Sequence, residues 1–159
     1  SKSEFESKIS GKEFDLVNNS NNIQSVYFAF NKDGCSFALK RDDNISVIKT
    51  GPESWKVSNT LSSSMLAPPR VVSKSVDANY KILQPIIKVA ASYSWTDKNT
   101  LELTARFIEE NLGSETIVCK FSEVFGNVNV SIEQKAGRPL MGIAGPAPTP
   151  LRGTLLKIN

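Results

Sequence analysis

Apolar residues recur at every second position through most of this chain. Val26, Phe28 and Phe30 alternate with Tyr27 and Ala29, and after Asn31-Lys32-Asp33-Gly34 the period resumes as Cys35, Phe37 and Leu39. A two-residue period is that of a strand, whose successive side chains point to opposite faces. Asp33-Gly34 supplies positive-φ residues for a tight hairpin, which predicts that the two runs pair antiparallel. Arg41-Asp42-Asp43-Asn44 reads as a second turn, after which Ile45 and Val47 continue on a third strand.

The second half repeats the arrangement. Residues 87–95 form a run that turns at Thr96-Asp97-Lys98-Asn99 into Leu101, Leu103, Ala105 and Phe107. Asn111-Leu112-Gly113-Ser114 turns the chain again, into Ile117, Cys119 and Phe121 on one face. Gly126-Asn127 reads as the last turn, before Val128, Val130 and Ile132. With a first strand near 12–17, where Phe14 and Leu16 point inward, the pattern predicts about eight strands. Short turns between sequential strands predict an all-β, antiparallel up-and-down barrel, because closure removes exposed sheet edges. A barrel of that size is filled by its own side chains or holds one small ligand. The inward Phe and Leu residues are needed to offset the entropy of ordering the chain, which favours a filled interior.

Two stretches depart from the pattern. No segment predicts a long amphipathic helix, and a short one is placed at 75–84. Residues 50–85, with Ser62-Ser63-Ser64 and Pro68-Pro69, read as a long connection over the barrel. Residues 136–150 hold four prolines and three glycines, and Leu151–Asn159 reads as a final strand after this tail. A structureless stretch of that length usually serves a contact, with another domain or another chain.

At 159 residues the chain is one domain, 1–159. Its longest apolar runs are a few residues, too short for a membrane span. A net charge of +3, with no basic cluster interleaved with aromatics, argues against nucleic acid. The opening Ser1-Lys2-Ser3-Glu4, without an initiator methionine or apolar leader, predicts a processed chain or a piece of a longer one.

The absence of histidine excludes Ser–His–Asp and Cys–His centres and histidine-borne zinc sites. Cys35 and Cys119 cannot make a four-ligand metal cage alone; their inward parity suits core positions, and a disulfide needs their strands to be close. Ser46-Val47-Ile48-Lys49-Thr50-Gly51 satisfies S-x-x-K and K-T-G, motifs of serine β-lactamases and penicillin-binding proteins. Here they share one lysine and fall on a predicted strand, where residues three apart face opposite sides; the enzymes carry S-x-x-K on a helix. Glu109, Glu110 and Glu115 flank a turn, as a solvated cluster does and as a glycosidase pair would only within a cleft. Asn18-Asn19-Ser20-Asn21-Asn22 is a polar turn. Trp55 and Trp95 are the candidate ligand or domain contacts, either stacking on a sugar or filling the barrel ends. No catalytic, cofactor or metal residue is assigned.

The order of these features resembles a family. The residues that carry the likeness are Ser10-Gly11-Lys12-Glu13-Phe14 through Asn18, then Ile23 to Phe30, and Ile48 to Gly51 followed by Trp55. Ala90-Ala91-Ser92-Tyr93-Ser94-Trp95-Thr96-Asp97-Lys98-Asn99-Thr100-Leu101, Arg106 to Glu109 and Thr116 to Phe121 complete it. Over residues 9–134 the chain resembles the C-terminal β-domain that follows the catalytic domain in β-lactamase-like (penicillin-binding-protein-like) bacterial serine hydrolases. The resemblance implies a lipocalin-like barrel, a non-catalytic accessory role beside an upstream catalytic domain of the same polypeptide, and a periplasmic, cell-surface or secreted location. The 56–85 insertion and the 136–150 tail depart from the family pattern. The alternatives are a stand-alone barrel for a small apolar ligand and an oligomeric or cell-surface module using the 136–159 tail.

Overall fold

The alternating runs form strands whose apolar residues share one side. The computed structural model describes residues 3–42, 44–60, 64–66, 75–76, 82–83, 87–108, 114–135 and 149–156. A helix α1 (Glu4–Ile9) leads into β1 (Lys12–Leu16), β2 (Ser25–Asn31), β3 (Gly34–Arg41) and β4 (Asn44–Pro52). After β5 (Lys56–Thr60) come β6 (Ser75–Val76) and β7 (Ile82–Leu83). The second half holds β8 (Ile87–Asp97), β9 (Thr100–Phe107), β10 (Ser114–Val124), β11 (Asn127–Gln134) and β12 (Leu151–Leu155).

Neighbours along the chain are neighbours in space. β1 to β4 pair antiparallel in order, as do β8 to β12, and β12 also pairs antiparallel with β1, so the last strand meets the first. The ring is completed where β4 touches β8 in parallel, Gly51 opposite Ser92 and Pro52 opposite Tyr93. The result is a closed, mixed barrel of nine strands. β5 runs antiparallel along the first half of β8, from Lys56 opposite Ala91 to Thr60 opposite Ile87. The predicted barrel is therefore present, with the final strand at 151–155 built into the ring.

Several boundaries differ from the expectation, each for a physical reason. The 50–85 connection is not one loop: residues 50–52 finish β4 and 56–60 form β5. Strand β5 gives no apolar signal because its barrel-facing positions are Lys56, Ser58 and Thr60, while Val57 points outward. The helix placed at 75–84 is not seen in its described part, where Ser75 pairs with Leu83 and Val76 with Ile82. A helix does form at 4–9, too short to show a period; Ser3 caps it by accepting the Phe5 N–H at 3.1 Å. Residues 44–52 do form the third strand, but its inward residues are Ile48 and Thr50, so Ile45 and Val47 face outward. In the first hairpin only Gly34 has positive φ (+147°), and a Cβ there would lie 2.0 Å from the Thr50 carbonyl oxygen. The last hairpin turns on Phe125-Gly126 (φ 50° and 76°) between paired Val124 and Asn127, one residue before the expected turn.

The lumen is filled. Phe14, Phe28, Phe37 and Phe121 are buried with their rings in contact across the barrel. Phe28 lies 5.3 Å from Phe37, 5.5 Å from Phe121 and 5.9 Å from Phe14. Leu101, Leu103, Ile117, Val130 and Ile132 line the far wall. The inward hydroxyl of Thr50 is satisfied by donating to the Cys35 carbonyl at 2.8 Å. Gly153 of β12 sits where a Cβ would come 2.5 Å from Leu16 Cδ2 and 2.9 Å from the Asp15 carbonyl oxygen, so no larger residue fits the closing strand.

Both barrel ends are plugged. At one, α1 inserts Phe5 and Ile9, with Phe5 stacked on Phe121 at 5.8 Å and Lys8 paired to Glu123 at 2.7 Å. At the other, Met65 and Leu66 join the core. Their backbone is held by Glu115, which accepts the Met65 N–H at 2.8 Å, and by Arg41 and Asn21, which donate to the Leu66 carbonyl.

Truncating Phe121→Ala, which touches both the lumen and the α1 plug, should cost about 3–5 kcal/mol in urea unfolding. Phe125→Asn should have the opposite sign: it restores the Asn-Gly pair that a two-residue turn of this kind prefers, and should raise stability by about 1 kcal/mol.

Candidate functional site

The two tryptophans have separate places. Trp95, on the inward side of β8, lies against Phe30 (6.1 Å, 27° between planes) and Phe121 (5.8 Å), and its indole N–H donates to Glu6 of α1 at 3.1 Å. It fills the barrel end beneath α1. Trp55 sits in the turn between β4 and β5 and is 56% exposed. That turn is fixed where the Glu53 N–H donates to the Tyr93 carbonyl at 2.8 Å, at the point of β4–β8 contact.

Two clefts are formed by the described residues. One of about 570 Å³ lies beside α1, between Ser3, Glu4 and Phe5 and the Trp95–Lys98 end of β8. Its size suits a small ligand, but its rings are already engaged. Trp95 is packed between Phe30 and Phe121, and Phe5 stacks on Phe121 with the Lys8 ammonium 5.3 Å from its centroid. Both rings are thus in contact with rings of the core. Asp97 borders this cleft, its carboxyl held below the ordinary carboxylate value first by the Asn99 backbone N–H and then by the Thr100 side chain. The second cleft, about 250 Å³, lies outside β8 and β9 between Glu53, Ser92, Ser94, Glu102 and Thr104. Glu102 is paired there with Lys135 at 3.5 Å, and the Thr104 hydroxyl bonds that of Thr116 at 3.0 Å.

The chemical motifs do not assemble. Within β4 Ser46 lies opposite Leu39, on the lumen side, whereas Lys49 lies opposite Ser36, on the outside. The S-x-x-K residues are thus on opposite faces, as their strand context predicted. Glu115 is a structural anchor for residues 64–66; Glu109 and Glu110 lie outside the described residues. Asn19 closes its own turn, its amide donating to the Val17 and Ile23 carbonyls while its oxygen accepts the Ile23 N–H. Among the described residues no three Cys, Asp or Glu side chains converge on a metal position, and no helix is long and apolar enough to cross a membrane. Of the tail, residues 136–148 lie outside the described residues, and β12 forms as predicted.

Cys35 and Cys119 are free and buried, as core residues. Burial pushes the Cys35 thiol up from 9.0 to about 12 and that of Cys119 up as well, which makes both poor nucleophiles. Tyr93 is raised to about 12 by the same cause, then by Glu6 and Cys35.

The residues that sequence reasoning missed are on the outside. Phe125 is 99% exposed at the tip of the β10–β11 hairpin, in a left-handed conformation unusual for an aromatic residue. Ile45, Val47 and Val57 are exposed on the outer face of β4 and β5. Alternation alone identifies an apolar face of a strand; it cannot tell which face meets the lumen.

The raised thiols make stability depend on pH in one direction. Below about pH 9 folded and unfolded chains both hold the thiol protons. Between there and about 12 the unfolded chain releases the Cys35 proton while the folded chain keeps it. Stability should then fall by about 1.4 kcal/mol per pH unit per thiol. Urea midpoints at pH 8 and pH 10.5 should diverge in the native sequence and less so in Cys35→Ala/Cys119→Ala; equal slopes would remove the thiols as the cause.

Comparison of the chain with known protein families, with curated proteins and with solved structures finds no match.

Proposed function

We propose that this chain is a non-catalytic accessory domain of a β-lactamase-like serine hydrolase, exported with its catalytic domain and acting through its outer surface. The observation that carries this reading is the lumen, closed at both ends and occupied by Phe14, Phe28, Phe37 and Phe121. A barrel that has filled its own interior has its outside left for recognition, and the outside exposes Trp55, Ile45, Val47, Val57 and Phe125. The same filling weighs against the stand-alone ligand barrel. The particular parent rests on the sequence resemblance around Tyr93-Ser94-Trp95.

The purified chain should not turn over chromogenic β-lactams or short esters. Turnover abolished by Ser46→Ala would overturn the reading. The gene that carries this sequence should also encode an upstream domain with S-x-x-K on a helix; an unrelated upstream domain would count equally against it.

A further inference from the structure

The β10–β11 hairpin reaches past the strands on either side of it. β9 pairs with β10 from Ser114 to Lys120, with one further bond from the Phe121 N–H to the Asn99 carbonyl at 2.9 Å. β12 pairs with β11 between Asn129 and Ile132. β10 and β11 pair on beyond both limits, through Ser122 opposite Asn129 and Glu123 opposite Val128 to Val124 opposite Asn127, with no shift of register. Residues 122–127 are therefore a two-stranded arm whose ladder bonds, among the described residues, are its own. At its tip stand Phe125, 99% exposed, and Val124, 50% exposed.

Phe125 is the wrong residue for this turn as far as the fold is concerned. A two-residue turn with positive φ at both central positions is adopted without strain by Asn, Asp and Gly. Phe125 holds a φ of 50°, where the Cβ of an L residue crowds the following carbonyl oxygen. The fold thus loses twice, through a strained backbone and through an aromatic ring left in water. Strain of this kind is characteristic of sites that make a contact, and exposed apolar groups mark where such contacts fall. The arm is also electrically balanced. Glu123 is its one charged residue, and it is paired with Lys8 of α1 at 2.7 Å.

We propose that Phe125 is an anchor, which the arm inserts into an uncharged apolar pocket one aromatic ring wide on the catalytic domain. The identity of the partner rests on the accessory-domain reading; the chemistry of the pocket rests on the arm itself. The small size of the tip selects a tethered partner. One Phe and one Val bury far less than the roughly 800 Å² per side that a stable association of separate molecules needs. Between domains of one chain the effective concentration is high, and a single well-seated ring suffices. The tether leaves from the same end of the barrel. The Ser3 hydroxyl donates to the Lys98 carbonyl, the Trp95 indole donates to Glu6, and Lys8 pairs with Glu123, which fixes α1 at the foot of the arm. The tight turn and regular ladder hold the ring in place beforehand, so little freedom is lost on docking. A membrane surface is the poorer fit, because the arm lacks the apolar area and the cationic flank of a membrane-surface element.

The test compares this chain with the polypeptide encoded by the complete reading frame. With the photo-cross-linking residue p-benzoylphenylalanine in place of Phe125, irradiation should join position 125 to the upstream domain within one molecule and leave the isolated chain monomeric. Amides 122–127 should exchange hydrogen at least about tenfold more slowly in the complete polypeptide than in the isolated chain. Phe125→Asn should abolish that difference while raising the melting temperature of the isolated chain, and Phe125→Tyr should preserve it. A merely structural residue would move both readouts in the same direction. Cross-linked dimers of the isolated chain, its sedimentation with phosphatidylcholine vesicles, or equal exchange rates in a polypeptide that does carry the hydrolase domain would each overturn the anchor. Those results leave the accessory-domain reading standing, whereas a cross-link from position 125 to an upstream domain of another kind would defeat that reading and leave the anchor.

Discussion

The structure depends on the contact of phenylalanine rings across the barrel axis. Phe121 comes from β10, Phe14 and Phe28 from β1 and β2 on the other wall, and their centroids lie 5.5–5.9 Å apart. Those spacings are the favoured range for aromatic pairs, so the rings fix the distance between opposite walls as well as excluding water. A sheet that curls until its aromatic residues meet fills its axis with its own side chains.

Closure and plugging extend the same constraint to the ends. β12 can enter between β11 and β1 because Gly153 lets its backbone approach Leu16 and Asp15 closely. α1 then covers one opening with Phe5 and Ile9, and Met65 and Leu66 cover the other. The polar contacts at these ends have mainly an orienting role. An exposed pair such as Lys8–Glu123 contributes little by itself, whereas Trp95 gives α1 both a packing surface and a hydrogen-bond donor for Glu6. At the β4–β5 seam the regular barrel gives way: β4 meets β8 over two residues only, β5 is short, and the buried Ser58 hydroxyl has no partner among the described residues. Exposed Trp55 and Val57 lie along this irregular part of the wall.

How much was legible depended on whether a residue's polarity reported its environment. The strands through Phe28, Phe37, Leu103, Phe121 and Val130 were readable because alternation and burial coincide there. β5 was not, because Lys56, Ser58 and Thr60 face inward and give no hydrophobic period. α1 was hidden by its length: Phe5 and Ile9 lie one turn apart, a spacing that a single pair cannot distinguish from chance. Trp95 and Trp55 looked equivalent as exposed-or-filling aromatics, and only their neighbours separate them, a ring stack for one and a solvent-facing turn for the other.

The sequence by itself determined the strand period, the antiparallel hairpins, the absence of histidine chemistry and the separation of Ser46 from Lys49, because each follows from local residue order. The tertiary structure decided the rest. It selected which face of β4 is the inside, joined β12 to β1 and β4 to β8, buried both thiols, and left Val47 and Val57 exposed. These are relations between residues far apart in the chain, set by how opposite walls pack, and no local pattern encodes that distance.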